Sequence, residues 1–395
     1  MMERIFRRPL AYGALAAFLV FAWQAATVQI NYAGNWTGLF RIGRDMPLPP
    51  RLATTAFRSA HSVGFDGQFY LVLAYDPFTP SIHSPYLDAP EYRSRRILVP
   101  ILSWLLAAGQ AKLIPLTYVA VMLISVFAGV YFLSRLLVAR GRSPAYGLLF
   151  LLVPSTLTAI DSMTVDGVLA TLTACLLWQL STGNFRAIWF TLAAAALVRE
   201  TGLFLAAAAV FSAVRARDWK NAAFFASATI PAFLWFAYLA STFPPASANQ
   251  ASLPLWLLPK LQSGILLRLF EPLGYPHLTS TLRLVVRLLD ALALSAMGTA
   301  IVFAAIRFRH QMPGLPRTAL GLQILLAVAI TDKWFWDSAY SYGRLFGPLF
   351  VILFAEEAAL TGLLFCVTLA CLIDLRILAE YLSQILGFWR ALAHW

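Results

Sequence analysis

Residues 91–109 read EYRSRRILVPILSWLLAAG, and whether they cross the bilayer decides the topology of everything after them. The apolar run Ile97–Ala108 is about 12 residues, and a helix needs about 20 to span the hydrocarbon core. If the run crossed, every later loop would change sides. The basic segments SRLLVARGR (134–142), VRARDWK (214–220) and RFRHQMPGLPR (307–317) would then lie outside. A helix lying on the outer surface leaves all three inside, as the lysine and arginine bias of membrane proteins demands. The surface reading wins.

The chain around this stretch is that of a membrane protein. Of its 395 residues 60% are hydrophobic and 12% charged, against about 45–50% and about 25% in soluble domains. The formal net charge of +12 would point to nucleic acid in a soluble protein. Here Lys and Arg collect in short loops beside apolar runs, so orientation in the membrane accounts for them and no nucleic acid partner is expected. Cys175, Cys366 and Cys371 all lie in apolar runs, with neither a disulfide framework nor zinc spacing. The basic start MMERIFRRPL precedes an apolar run over 11–30. That run is longer than the roughly 7–15 residues of a signal-peptide core, so it reads as an uncleaved first span with a cytoplasmic N-terminus.

Later apolar runs place spans near 114–137, 145–160, 165–182, 187–199, 202–215, 222–242, 284–306, 318–332, 345–360 and 362–380. With the first span this predicts an all-α polytopic membrane protein of about eleven transmembrane helices in a single integral domain. Residues 31–113 form a first extracytoplasmic loop with two amphipathic surface helices, and 243–283 form a second. The runs 187–199 and 202–215 are too short to cross alone and read as a hairpin turning on Arg199-Glu200-Thr201-Gly202. The outer side also receives the turn DSMTVDG (161–167) and the segment TDKWFWDSAYSYGR (331–344).

Several charges on that side run against the bias. Arg93, Arg95 and Arg96 open the second surface helix, Arg199 sits in its apolar hairpin, and Arg344 stands among Trp334, Phe335, Trp336, Tyr340 and Tyr342. Snorkelling anchors, an aromatic belt, or a plain pairing of Arg199 with Asp161 or Asp166 compete as structural accounts. An ionisable residue at membrane depth is costly, however, and here several separate segments bring arginine to one face. Guanidinium forks suit phosphate oxygens, so a phosphate-bearing lipid is the ligand class they fit.

The loop also carries GFDGQFYLVLAYDPF (64–78). Asp66 reads as the N-cap of a helix and, compatibly, as a general base. Gly67 is read as leaving room for a substrate, Asp76 before Pro77 as a helix end, and Asp88 as solvated. His61 is the one histidine near Asp66 in sequence, and no histidine has metal spacing. No Walker loop, GxSxG or HExxH occurs.

The order of these pieces resembles the GT-C-type membrane glycosyltransferases, especially bacterial relatives of the GPI mannosyltransferases. It runs through a first span, a long outer loop with Asp-Gly-Gln-Phe-Tyr, an Arg-Arg-Ile-Leu-Val-Pro surface helix, and a hairpin on Arg-Glu-Thr-Gly. The resemblance implies a hexosyltransferase, with mannose among the sugars to consider, in the bacterial inner membrane and with its active site extracytoplasmic. Its donor would be a polyprenyl-phosphate-linked sugar and its acceptor a lipid, glycan or protein. By resemblance Asp66 is the acid of the first loop, and 64–75 and 95–108 are its two surface helices. No second acid stands beside Asp66 as in relatives that bind a metal, so no metal and no cofactor are expected. Asp66 is then the base, and Arg95, Arg96, Arg199 and Arg344 bind phosphate. Tyr70, Asp161, Asp166 and Trp336 complete the substrate site. A transporter or flippase of a lipid-linked saccharide, and an inactive assembly partner, remain the alternatives; visible repeats and midplane charges would favour the transporter.

Overall fold

The computed structural model describes residues 2–60, 62–243, 268, 275, 279–310, 314–330 and 332–393. His61 and nearly all of the expected second loop, 243–283, lie outside the described residues. The chain is all-α, and among the described residues the only strands are the parallel two-residue pair Ile42–Gly43 and Arg58–Ser59. Among the described residues five helices are long and apolar enough to cross a membrane: Arg8–Asn31, Ile114–Ala139, Trp219–Thr242, Ser280–Arg309 and Leu360–Glu380. Phe185–Val198, Gly314–Ala329 and Gly347–Glu356 are apolar but shorter.

The run expected as one span at 145–160 is broken. A 3-10 helix, Pro144–Leu152, meets the helix Pro154–Ser162 at an angle of 65°. Proline at 154 removes a backbone donor and holds Val153 extended, at φ −75° and ψ 121°, so the helix cannot continue through it. The bend turns the Asp161 end of the second piece inward, where Asp161 and Ser162 are buried.

The first loop also departs from expectation. The helix Gly67–Tyr75 is not an amphipathic surface helix: every residue from Gly67 to Ala74 is buried. GQFYLVLAY has no polar face to give to water, so the helix packs inward, against Leu98–Leu106 on one side. The second piece, Leu98–Leu106, does lie at the surface, but with Leu102, Leu105 and Leu106 outward. That is an apolar face, as a helix bordering lipid needs. Trp235 donates to the Ser94 carbonyl (2.9 Å) and Tyr238 to that of Phe78 (2.7 Å), tying the Ile230–Thr242 helix to this loop.

The molecule has two charged ends. Tyr118, near the start of the Ile114–Ala139 helix, donates to the Met163 carbonyl (3.0 Å). Arg140, just past its other end, pairs with Glu356 (2.6 Å). At 1.5 Å per residue those points lie about 33 Å apart. The basic segments gather at the Arg140 end: Arg307 pairs with Glu357 (2.7 Å), and Ser212 meets Thr318 (3.2 Å). The residues singled out in the first loop gather at the other.

Candidate functional site

The stretch Asp-Gly-Gln-Phe-Tyr (66–70) is accounted for residue by residue. Asp66 stands at the N-cap position of the Gly67–Tyr75 helix, but in right-handed helical geometry and with no side-chain capping bond. Its carboxylate is used elsewhere. Oδ2 accepts from Arg344 (2.6 Å) and forms an ion pair with Arg93 (2.8 Å), and Oδ1 accepts from Arg93 (3.1 Å). Gly67 leaves no room for a substrate, because a Cβ there would collide with the Ser162 carbonyl. Its absence lets the helix start press against the bent helix. Gln68 staples the loop, accepting from the Gly43 amide (3.1 Å) and donating to the Val63 carbonyl (2.8 Å). The Phe69 ring lies under Arg93, 4.8 Å from its guanidinium carbon. Tyr70 is fully buried and accepts from Arg96 (2.9 Å).

Outward from Asp66, ion pairs alternate in sign. Arg93 also holds Asp88 through two bonds (2.8 and 2.7 Å), so Asp88 is part of the network rather than merely solvated. Arg344 reaches Asp166 at 3.7 Å, and Asp166 pairs with Arg199. The line runs Asp88, Arg93, Asp66, Arg344, Asp166, Arg199. Beside it Arg96 is buried between Glu200 (3.1 Å) and the hydroxyls of Tyr70 and Tyr92. On the other flank Arg41 pairs with Asp161, its guanidinium over the rings of Tyr381 (4.2 Å) and Phe65 (5.2 Å). Phe65 meets Tyr340 (5.2 Å between centroids), and Arg344 lies over the Tyr340 ring (4.3 Å).

Two non-glycine residues in left-handed conformation set these positions. Arg41 (φ 51°, ψ 53°) ends the turn Trp36–Phe40, and Met163 (φ 51°, ψ 35°) ends the helix Pro154–Ser162. Such backbone is uncommon for side chains of this size and gathers at functional sites. The Met163 turn separates Asp161 from Asp166, sending one to Arg41 and the other to Arg199.

Among the described residues the cluster thus holds five guanidiniums (Arg41, Arg93, Arg96, Arg199, Arg344) and five carboxylates (Asp66, Asp88, Asp161, Asp166, Glu200). Its charges balance. The acids differ in access: side-chain exposure is 4% at Asp161 and 1% at Asp166, against 18% at Asp66, 24% at Glu200 and 43% at Asp88. Asp166 is therefore a buried counter-ion of arginine, and Asp161, almost as buried, shows only an edge to the cavity beside the cluster. Burial pushes the Asp66 carboxyl pKa up, but the Arg344 and Arg93 guanidiniums outweigh it and hold it well below the usual carboxylate range.

Two expected substrate contacts lie in the core. Trp336 is buried, donates to the Ile330 carbonyl (3.1 Å), and stacks between Tyr342 and Phe346. Tyr70 is likewise closed to substrate. Arg95 sits on the rim, paired with Glu91 (2.5 Å), apart from the Asp66 network. Arg93, Arg41, Asp88 and Glu200 belong to the cluster although they were not singled out as site residues. Arg93 lay in the same triplet as Arg95 and Arg96, and a helix from Pro90 to Ser94 turns it, rather than Arg95, toward Asp66.

Beside the cluster a cavity of about 290 Å³ opens between the first helix, the bent helix and the last two helices, with Trp23, Leu157, Ile160 and Leu378 on its walls. Its polar limit is Asp161 and Tyr381, the two groups that hold Arg41. Among the described residues no three of His, Cys, Asp and Glu gather as a metal site. No family model matches the chain, and neither does any curated protein or solved structure.

Proposed function

We propose that the chain is an inverting glycosyltransferase of GT-C-type architecture. It would move a hexose from a polyprenyl-phosphate-linked donor to an acceptor hydroxyl at the extracytoplasmic face of a bacterial inner membrane. On this reading the long and short apolar helices together make about eleven crossings, and Leu98–Leu106 lies on the outer leaflet. The observation that carries it is Asp66, a partly open carboxylate set between Arg93 and Arg344 from segments 27 and 278 residues away. Inverting transfer needs one base for the acceptor proton and cations for the leaving phosphate. A carboxylate among guanidiniums has both. The acceptor oxygen attacks the anomeric carbon as its proton passes to Asp66. The bond from that carbon to the phosphate oxygen breaks, and the phosphate leaves without needing a proton. The apolar cavity suits part of the lipid chain, since its walls carry no charge until Asp161.

Purified protein given polyprenyl phosphates carrying labelled hexoses should pass label to an acceptor, and a chelator should leave the rate unchanged. Asp66→Asn should lower the rate about 10²–10⁴-fold, the usual contribution of a general base. A folded Asp66→Asn protein that transfers at the wild-type rate ends the assignment. A flippase would move the donor across vesicles with its sugar still attached, so label that crosses without changing carrier favours that reading instead.

A further inference from the structure

We propose that the seat of the donor's phosphate is the gap between the Arg93 and Arg344 guanidiniums, and that the Asp66 carboxylate fills it until the phosphate displaces it. The inference rests on the glycosyltransferase reading and adds an order of events to it. Asp66 becomes a base only after the donor has arrived.

Charge balance is the first reason. Five buried or half-buried cations already face five carboxylates. A phosphate added to that set would bring a further negative charge among guanidiniums that are already paired, so it must take a carboxylate's place on them. Some carboxylate must give way. Asp166 is sealed beneath the cluster, Asp161 is 4% exposed and holds Arg41, and Glu200 and Asp88 each pair with one arginine. Asp66 alone bridges two guanidiniums that both keep another partner when it leaves: Asp88 for Arg93, and Asp166 for Arg344. It is also open enough to move.

Geometry is the second reason. Three donor contacts converge on Asp66, two from Arg93 and one from Arg344, at 2.6–3.1 Å. The donor's phosphodiester offers two non-bridging oxygens to that set and gains a third as the sugar–phosphate bond breaks, and guanidinium forks fit it bidentately. While Asp66 occupies the gap, its Oδ2 receives two cationic donors, so it is a poor proton acceptor. Once displaced it faces the acceptor without them. The acceptor hydroxyl gives its proton to the freed carboxylate, its oxygen bonds to the anomeric carbon, and the sugar–phosphate bond breaks. The electron pair stays on the phosphate, held between the two arginines. When the phosphate departs, Asp66 loses its proton to water and returns to the gap.

The test uses the full-length protein in detergent, with a short-chain isoprenyl phosphate as probe and its parent alcohol as control, followed by tryptophan fluorescence. The phosphate should bind in preference to the alcohol. Asp66→Asn should bind it about 10–100-fold more tightly than wild type, about 1.4–2.8 kcal/mol, since a competing charged acceptor has been removed. Adding Arg344→Gln should abolish the gain. Asp66→Ser carries the same expectation if the Asn variant fails to fold. Wild-type binding that is unchanged or weakened in both variants overturns the displacement and leaves the transferase reading standing. No preference for phosphate over alcohol in any of these proteins overturns both.

Discussion

The two ends of the helical stack carry the same residue types and use them differently. At the Arg140 end, Arg140 is 35% exposed; it pairs with Glu356 and also donates to the Ala355 carbonyl, while Arg142 donates to that of Ala358. These bonds satisfy carbonyls left over where the helix Gly347–Glu356 stops. At the Asp66 end the arginines are buried, linked into a line, and matched one for one by acids. Exposed pairs are worth about 0–1 kcal/mol. Buried ones lose much of their attraction to desolvation and are rarely the most stable way to fill the space. The Arg140–Glu356 pair is thus ordinary surface finishing, although the neighbouring Glu357 is buried against Arg307. The second is an arrangement that stability alone does not account for, which is why an anionic ligand is proposed there.

The sharpest way to break this contrast is to cut one pair at each end. Arg199→Met leaves the deeply buried Asp166 with only the distant Arg344 (3.7 Å). Loss of one partner from a buried pair costs about 3–5 kcal/mol, so the unfolding midpoint in detergent should fall steeply. Glu356→Gln should cost about 0–1 kcal/mol, because Arg140 remains in water and keeps its carbonyl bond. Equal losses at both ends would show that burial does not separate them.

Gly67→Ala probes how the site is held rather than what it holds. The added methyl must push the helix Gly67–Tyr75 away from the Ser162 carbonyl, at about 1–3 kcal/mol for overpacking. The same shift carries Asp66 away from Arg344, so transfer should fall further than stability does. A variant that loses stability but keeps its full rate would mean that Asp66 need not be anchored at that spot. An alanine variant of normal stability would mean that the close approach is not fixed.

What the sequence disclosed follows the same division. Asp66, Arg199 and Arg344 were legible because a charge in an apolar chain is expensive wherever it sits, and the structure brings all three into one line. Their partners were not legible, since Arg344 reaches Asp66 across 278 residues of chain and nothing local marks that meeting. Arg41 lay in a stretch of mixed polarity where a cation costs little, and only its left-handed backbone and the ring of Tyr381 reveal its place. Gly67 was a glycine whose missing Cβ makes room for another backbone rather than for a ligand, and composition cannot tell those apart. Pro154 was visible in the run 145–160, but periodicity averaged across it concealed a 65° bend. Tyr70 and Trp336 were aromatic, near the right charges, and inside the core.

The smallest effect is one of pH, and it separates a clamped carboxylate from a free one. Burial alone would raise the Asp66 pKa, yet Arg344 and Arg93 hold it well below the usual carboxylate range. A group whose folded pKa is depressed adds stability that is fully present above its unfolded pKa, about 3.9 for aspartate. That stability is lost only as pH falls through the folded value. The gap in unfolding midpoint between wild type and Asp66→Asn should therefore stay flat from pH 7 to pH 5 and begin to close only below about pH 4. Addition of the short-chain isoprenyl phosphate should remove the closing below about pH 4, because a displaced Asp66 is no longer held below its unfolded pKa and adds no pH-dependent stability. A gap that shrinks between pH 7 and pH 5 without any ligand would mean that the guanidiniums do not hold Asp66. The Asp66 end would then differ from the Arg140 end in burial but not in kind.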